Sequence, residues 1–255
     1  MYHLVLPFNK KIVELKPVTL KDTLDFYHLG NDLKTIVKKL ESFIITKNLN
    51  LIEKLYSLFY LRETCLGSLI NLSDYALDIN IFLSELEEVI DIEKQIVKNN
   101  LIIELDYPTN FCYYDNDETS LIKSIQIDSE KVILDSLDKN SKDVLLNYIP
   151  QNILKEVKNF RTSNQNNLQI SFVVKGNNNI VRYLSTDLII FLKNIFTVLT
   201  PHTYRQHVFT LSKRMQDISY ITTQCTLVDI EDYINLYVKE TEESKGANDP
   251  TIDGF

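Results

Sequence analysis

The stretch NLNLIEKLYSLFYLRETCLGSLINL, residues 48–72, decides the class of this chain. Its first part reads as a helix over about 51–64 that runs through Leu61-Arg62-Glu63 and stops near Gly67, a residue suited to ending helices. Residues 68–72 then read as a strand. A helix handed over to a strand through a single glycine predicts an α+β chain.

Working outward, HLVL and KIVEL are separated by Pro7-Phe8-Asn9 and predict two short strands joined by a turn. Thr19-Leu20-Lys21-Asp22 has the form of a capping box and predicts a helix to about Tyr27. Gly30-Asn31-Asp32 interrupts it. The next helix carries Leu33, Ile36, Val37, Leu40, Phe43 and Ile44 at the offsets of one buried stripe.

Beyond residue 72 the pattern is mixed. An acidic helix is expected over 81–97 and a strand over 101–105, with Pro108 closing the unit. Residues 122–127 alternate as a half-buried strand does. Ser141 is expected to cap a short helix ending before Pro150, a second helix to run to about Phe160, and 161–167 to form a polar loop. Residues 168–174 and 180–184 flank Gly176-Asn177-Asn178-Asn179 and predict a β-hairpin. Three helical patterns follow. One carries Leu188, Phe191, Leu192, Ile195, Phe196 and Leu199. The next opens at Thr200-Pro201 and aligns Tyr204, Val208, Leu211 and Met215. The last opens on a Thr226/Asp229 capping box and bears Ile230, Ile234, Tyr237 and Val238. The regions expected are 1–110, α+β; 111–167, one strand and two short helices; 168–240, the hairpin and three or four helices; and 241–255, a flexible tail. The same elements also fit one compact domain.

Composition excludes several functions. Among 255 residues, 44% are apolar and 24% charged, enough to bury a core without metals or disulfides. With 29 Ile and 23 Asn against 2 Ala, the chain favours residues with A/T-rich codons, as an A/T-rich microbe or virus would encode. Gly30, Gly67, Gly176, Gly246 and Gly254 are too dispersed for a phosphate-cradling loop. Cys65, Cys112 and Cys225 form no CxxC pair and are expected to be reduced thiols. The N-terminus lacks the order of a signal peptide, and no apolar run reaches the length of a membrane span.

Chemistry is sparse in the sequence. His202 and His207 stand five apart, turned about 140° from each other on a helix. His3 and His28 are isolated. Asp115-Asn116-Asp117-Glu118 begins like a calcium loop but has Ser120 and Gln126 where glycine and glutamate are needed. No serine has a nucleophile setting. No enzyme activity, metal, cofactor or small-molecule substrate is therefore expected. Charge is organised in blocks, +3 over 1–70, −11 over 71–150, +6 over 151–220 and −6 over 221–255. Glu85, Glu87, Glu88, Asp91 and Glu93 suggest an acidic face. Tyr204, Arg205, Lys213 and Arg214 lie in the basic block, and the expected contact residues are Glu85, Glu88, Asp91, Tyr204, Arg205, Lys213 and Arg214. The alternative is nucleic-acid association through 151–220, where Phe160, Tyr183 and Tyr204 interleave with Lys155, Lys158, Arg161, Arg182 and other cations.

Three stretches together resemble the central-hub subunits and assembly factors of contractile T-even-type bacteriophage baseplates. They are LPFNKKIVELKPVTLKDTLDF, the 48–72 stretch, and TYRQHVFTLSKRMQDISYITTQCTLVDIEDYINLYVKE. The resemblance implies a non-enzymatic hub component or assembly chaperone that acts through contacts with other hub proteins. It implies a location in the host cytoplasm during assembly, or in the tail baseplate. The 14 tyrosines suit such contacts, since Tyr adds contact area at low entropic cost.

Overall fold

The computed structural model describes residues 1–72, 75–89, 92, 94–112, 119–215 and 217–246, and the chain is α+β. Strands β1 (Tyr2–Val5) and β2 (Ile12–Leu15) pair antiparallel, with Leu4 opposite Val13 on the buried face. Helix α1 (Leu20–His28) opens on the expected box, in which the Thr19 backbone N–H and hydroxyl both donate to Asp22. Helix α2 (Leu33–Glu41) is capped by Asp32 and turns Ile36, Val37 and Leu40 inward. Helix α3 (Leu51–Leu66) is buried around most of its circumference, so the rest of the first core packs on it from several sides.

Hairpin β3 (Leu69–Leu72) and β4 (Tyr75–Asp78) leads into helix α4 (Asn80–Glu87). The acidic helix expected over 81–97 therefore ends ten residues early. Residues beyond it form β5 (Lys94–Lys98), paired with β6 (Leu101–Leu105), because Ile96 opposite Ile103 buries more in a sheet than a Glu/Lys-rich helix could. Strands β7 (Ile122–Ile127) and β8 (Glu130–Ile133) complete an antiparallel sheet in the order β5-β6-β7-β8. Helices α5 (Lys139–Asn147) and α6 (Gln151–Ser163) follow. Asp138, not Ser141, caps α5; the Ser141 backbone N–H and hydroxyl donate to it at 3.0 and 2.7 Å. The expected loop 161–167 is instead the end of α6 followed by a 3-10 turn, Gln165–Leu168.

Strands β9 (Gln169–Val174) and β10 (Asn177–Arg182) form the predicted hairpin with a shifted turn. Lys175 and Gly176, at φ 50° and 80°, make a two-residue turn of the kind that matches strand twist. The asparagines fall in β10, since Ile170, Phe172 and Val174 must all face the core. Helices α7 (Thr186–Phe196), α8 (Pro201–Met215), α9 (Ile218–Thr223) and α10 (Leu227–Gly246) end the described chain. The Thr226/Asp229 box opens α10, which runs through the first residues of the expected tail.

Two apolar clusters result. The larger joins β1, β2, α1–α4 and residues up to Leu121 with β9, β10 and α7–α10, so the first and last thirds share one core. Phe26, Phe43 and Phe196 stack within it, and Phe59, Phe82, Phe172 and Phe191 form a second aromatic group. The smaller cluster lies between the four-stranded sheet and α5 and α6, with Phe160 packed against both. The clusters thus divide the chain differently from the boundaries at 110 and 167. β5 and β6 pair into one sheet with β7 and β8, and residues 111–167 hold two described strands, not one, besides their helices.

Arg62 is the largest side chain sealed in this interior, 1% exposed. Its Nε donates to Ile195 O at 2.6 Å, Nη2 to Leu69 O at 2.9 Å, and Nη1 to Gly67 O. Burial pulls its pKa down to about 10, which still leaves it charged at neutral pH. Gly67 aims its carbonyl here from φ 83°, ψ 163°, a region that is essentially glycine-only. Gly67→Ala is expected to destabilise the fold by about 1–3 kcal/mol through backbone strain alone, since no atom crowds the added Cβ. Urea denaturation of the variant against wild type checks this.

Lys39 clamps α1 to α2, meeting Asp22 at 2.7 Å and Asp25 at 2.9 Å. Burial pushes the Asp22 carboxyl up, but the bonds from Lys39 and Thr19 outweigh it and hold the pKa below its ordinary 3.8. The unfolded state then binds the proton more readily. The stabilisation is therefore complete above the unfolded value and is lost as pH falls through the lower folded value. Urea midpoints should drop below about pH 4, and the drop should shrink in Asp22→Asn.

Candidate protein-contact site

The expected acidic face is partly present. Glu85 and Glu88 are exposed at the end of α4, while Asp91, like Glu93 and the run Asp115–Glu118, lies outside the described residues. Glu87, beside them, accepts a hydrogen bond from the Tyr56 hydroxyl at 2.7 Å. The run is the end of a short helix and does not form the broad helical face expected. On the basic side, Arg205 and Lys213 are exposed on α8, and the Lys213 ammonium lies 4.5 Å from the Phe209 ring centroid. Tyr204 is half-buried against the core; burial raises its pKa, opposed by a hydrogen bond with Thr222. The side chain of Arg214 lies outside the described residues. α4 packs on α3 and β9, whereas α8 packs on α9, α10 and α1, so the two charged groups occupy separate parts of the surface.

The aromatics expected to interleave with cations for base stacking face elsewhere. Tyr183 is 1% exposed, and Phe160 is half-buried beneath the Lys94 ammonium, 5.0 Å from its ring. Both rings belong to the core, so the stacking part of the nucleic-acid alternative has no exposed residue of the expected set to rest on.

What the structure adds is an apolar surface on the C-terminal helices. Phe209 is 63% exposed and Leu236 57%; Ile218, Tyr220, Tyr233, Tyr237 and Val238 are also exposed. Tyr220 and Tyr233 hydrogen-bond through their side chains, and Tyr220's proximity raises the Tyr233 pKa. α10 explains the pattern. Leu227 and Ile230 are buried and Ile234 packs on the core, but residues 235–239 are exposed on every side. A helix of 20 residues is about 30 Å long, and by residues 235–239 its side chains have left the core. Tyr233, Leu236 and Tyr237, at i, i+3 and i+4, form a stripe beside the one that packs inward. The legible signal was an excess of apolar residues: Leu236 falls outside the stripe that Ile230 and Ile234 define. α9, with Ile218 and Tyr220, gave no amphipathic pattern long enough to see.

Other chemistry is limited. Burial pushes the Cys65 thiol up to about 11, and the Val18 N–H donates to its sulfur at 3.4 Å, so it is held as a thiol. Among the described residues no group of His, Cys, Asp or Glu is placed to hold a metal, and no helix is long and apolar enough to cross a membrane. Compared with protein-family models, curated proteins and solved structures, the chain matches none.

Proposed function

We propose that this protein is a non-catalytic component or assembly chaperone of the central hub of a contractile phage tail baseplate, and that it docks to a hub protein through α10. The middle of α10 carries the proposal: Leu236, Tyr237 and Val238 are exposed there while its first turns are anchored in the core. Isolated exposed apolar residues are ordinary, but a stripe at helical spacing with Phe209, Ile218 and Tyr220 on the adjoining helices suits an interface. Charge fixes the character of the occupant. The sequence of α10 holds Asp229, Glu231, Asp232, Glu240, Glu242 and Glu243 against Lys239 and Lys245, so the receiving groove is apolar within and basic at its rim. The hub assignment itself rests on the resemblance of the three sequence stretches.

Mass spectrometry of purified virions beside infected-cell lysate tests the hub reading. Peptides in virions and lysate mark a subunit, and peptides in lysate alone, co-sedimenting with hub intermediates, mark an assembly factor. Peptides that sediment with no tail structure in either sample overturn it.

A further inference from the structure

A slot of about 300 Å³ opens at one end of the four-stranded sheet, where the β5–β6 turn at Asn99-Asn100 meets the corner between α5 and α6. Its walls are apolar. Ile125, Ile149 and Ile153 are buried, and Leu101 and Leu145 are half-buried beside them. Lys98 is the one charged side chain of the described lining, and Glu156 already engages it at 2.6 Å. Tyr148 stands on the lip, directly after the last residue of α5. It is 79% exposed, more than any other large apolar or aromatic side chain among the described residues. Val144, 57% exposed, precedes it by one helical turn on the same face, and Ile127 on the slot's wall is 44% exposed.

We propose that this slot receives Tyr148 of a second copy of the chain, so that two copies pair about a two-fold axis with each tyrosine in the other's slot. The placement of knob beside hole carries this. A two-fold interface uses the same patch on both copies, so a protruding group must lie next to the recess that accepts it. Such an axis also sets like groups near like groups, and a lining whose single cation is already paired brings no like charges together. The volume sits at the bottom of the range for small-ligand sites, about 300–1,000 Å³, and the buried residues of the lining are all isoleucines. No buried polar side chain is therefore there to orient a small ligand, whereas an aromatic ring needs none. Asn99 and Asn152, exposed on the rim, offer amides to the entering tyrosine hydroxyl. Two tyrosines bury about 150–250 Å² each, well short of the roughly 1,200–2,000 Å² of a standard interface. Val144 and Ile127 add to that area, and the dimer is weak and reversible.

Sedimentation equilibrium of the full chain over about 1–500 μM tests the pairing. A monomer–dimer equilibrium is expected. Tyr148→Ala, which removes the knob, and Ile127→Lys, which puts a charge on the wall of the slot, should each weaken it by about 100-fold or more, since both copies lose their contact. Both positions are exposed, and circular dichroism should show each variant folded. A mixture of the two variants should form a heterodimer through one intact contact, at concentrations where neither variant pairs with itself. Leu236→Lys/Tyr237→Lys on α10 should leave the equilibrium unchanged, which separates this surface from the hub-docking one. A chain that stays monomeric throughout, including one whose slot takes indole instead, overturns the proposal. So does a dimer that survives Tyr148→Ala, or one that is lost only when α10 is altered.

Discussion

Arg62→Ala should destabilise the protein by about 4 kcal/mol or more, the largest single-residue effect expected in its interior. The guanidinium is held by three backbone carbonyls on three segments: the chain leaving α3 at Gly67, β3 at Leu69, and the last turn of α7 at Ile195. Truncation orphans all three, at about 1–3 kcal/mol each, while relief of the buried charge returns part of that sum. Arg62→Lys should recover little, because a single ammonium cannot span three acceptors set by a planar fork. Thermal unfolding followed by circular dichroism checks both variants. A shift of about 10 °C is expected for Arg62→Ala, and a shift of a degree or two would show that the carbonyls find other partners.

Leu236→Lys with Tyr237→Lys should weaken capture of the proposed hub partner by about 100-fold or more while the chain stays folded by circular dichroism. Leu236 is 57% exposed and Tyr237 39%, so neither is a core side chain. A docked helix loses two apolar anchors and brings two cations to a basic rim. Hot-spot anchors cost about 2 kcal/mol or more each when truncated, and like charges add to that. Val97→Lys with Ile133→Lys, exposed apolar residues on β5 and β8 of the four-stranded sheet, is the matched control and should bind as wild type. Capture measured by biolayer interferometry separates the two surfaces.

Much of this architecture was legible where local chemistry and burial agree. Thr19 with Asp22, Thr226 with Asp229, and Thr200-Pro201 announce helix starts because the same side chains close the same backbone bonds in any context. Gly67 announces the helix end because its φ requires glycine. β8 was not legible: it is an edge strand whose residues are mostly exposed, so it has no alternation to read. β5 was hidden by composition, since Glu and Lys favour helix and only the pairing of Ile96 with Ile103 decides otherwise. The site followed the same division. Charge blocks are visible in sequence, but the tertiary fold alone shows that Tyr183 is buried, that Tyr148 stands beside an apolar slot, and that the side chains of α10 have left the core by residues 235–239.

Co-expression of the full chain with the hub proteins proposed as its partners, followed by size-exclusion chromatography with light scattering, tests the docking of α10 most directly. The predicted result is a stoichiometric complex that survives high salt, because its core is apolar, and that is lost in the Leu236→Lys/Tyr237→Lys protein. A chain that elutes alone beside every hub protein, or a complex indifferent to those two substitutions, would contradict it.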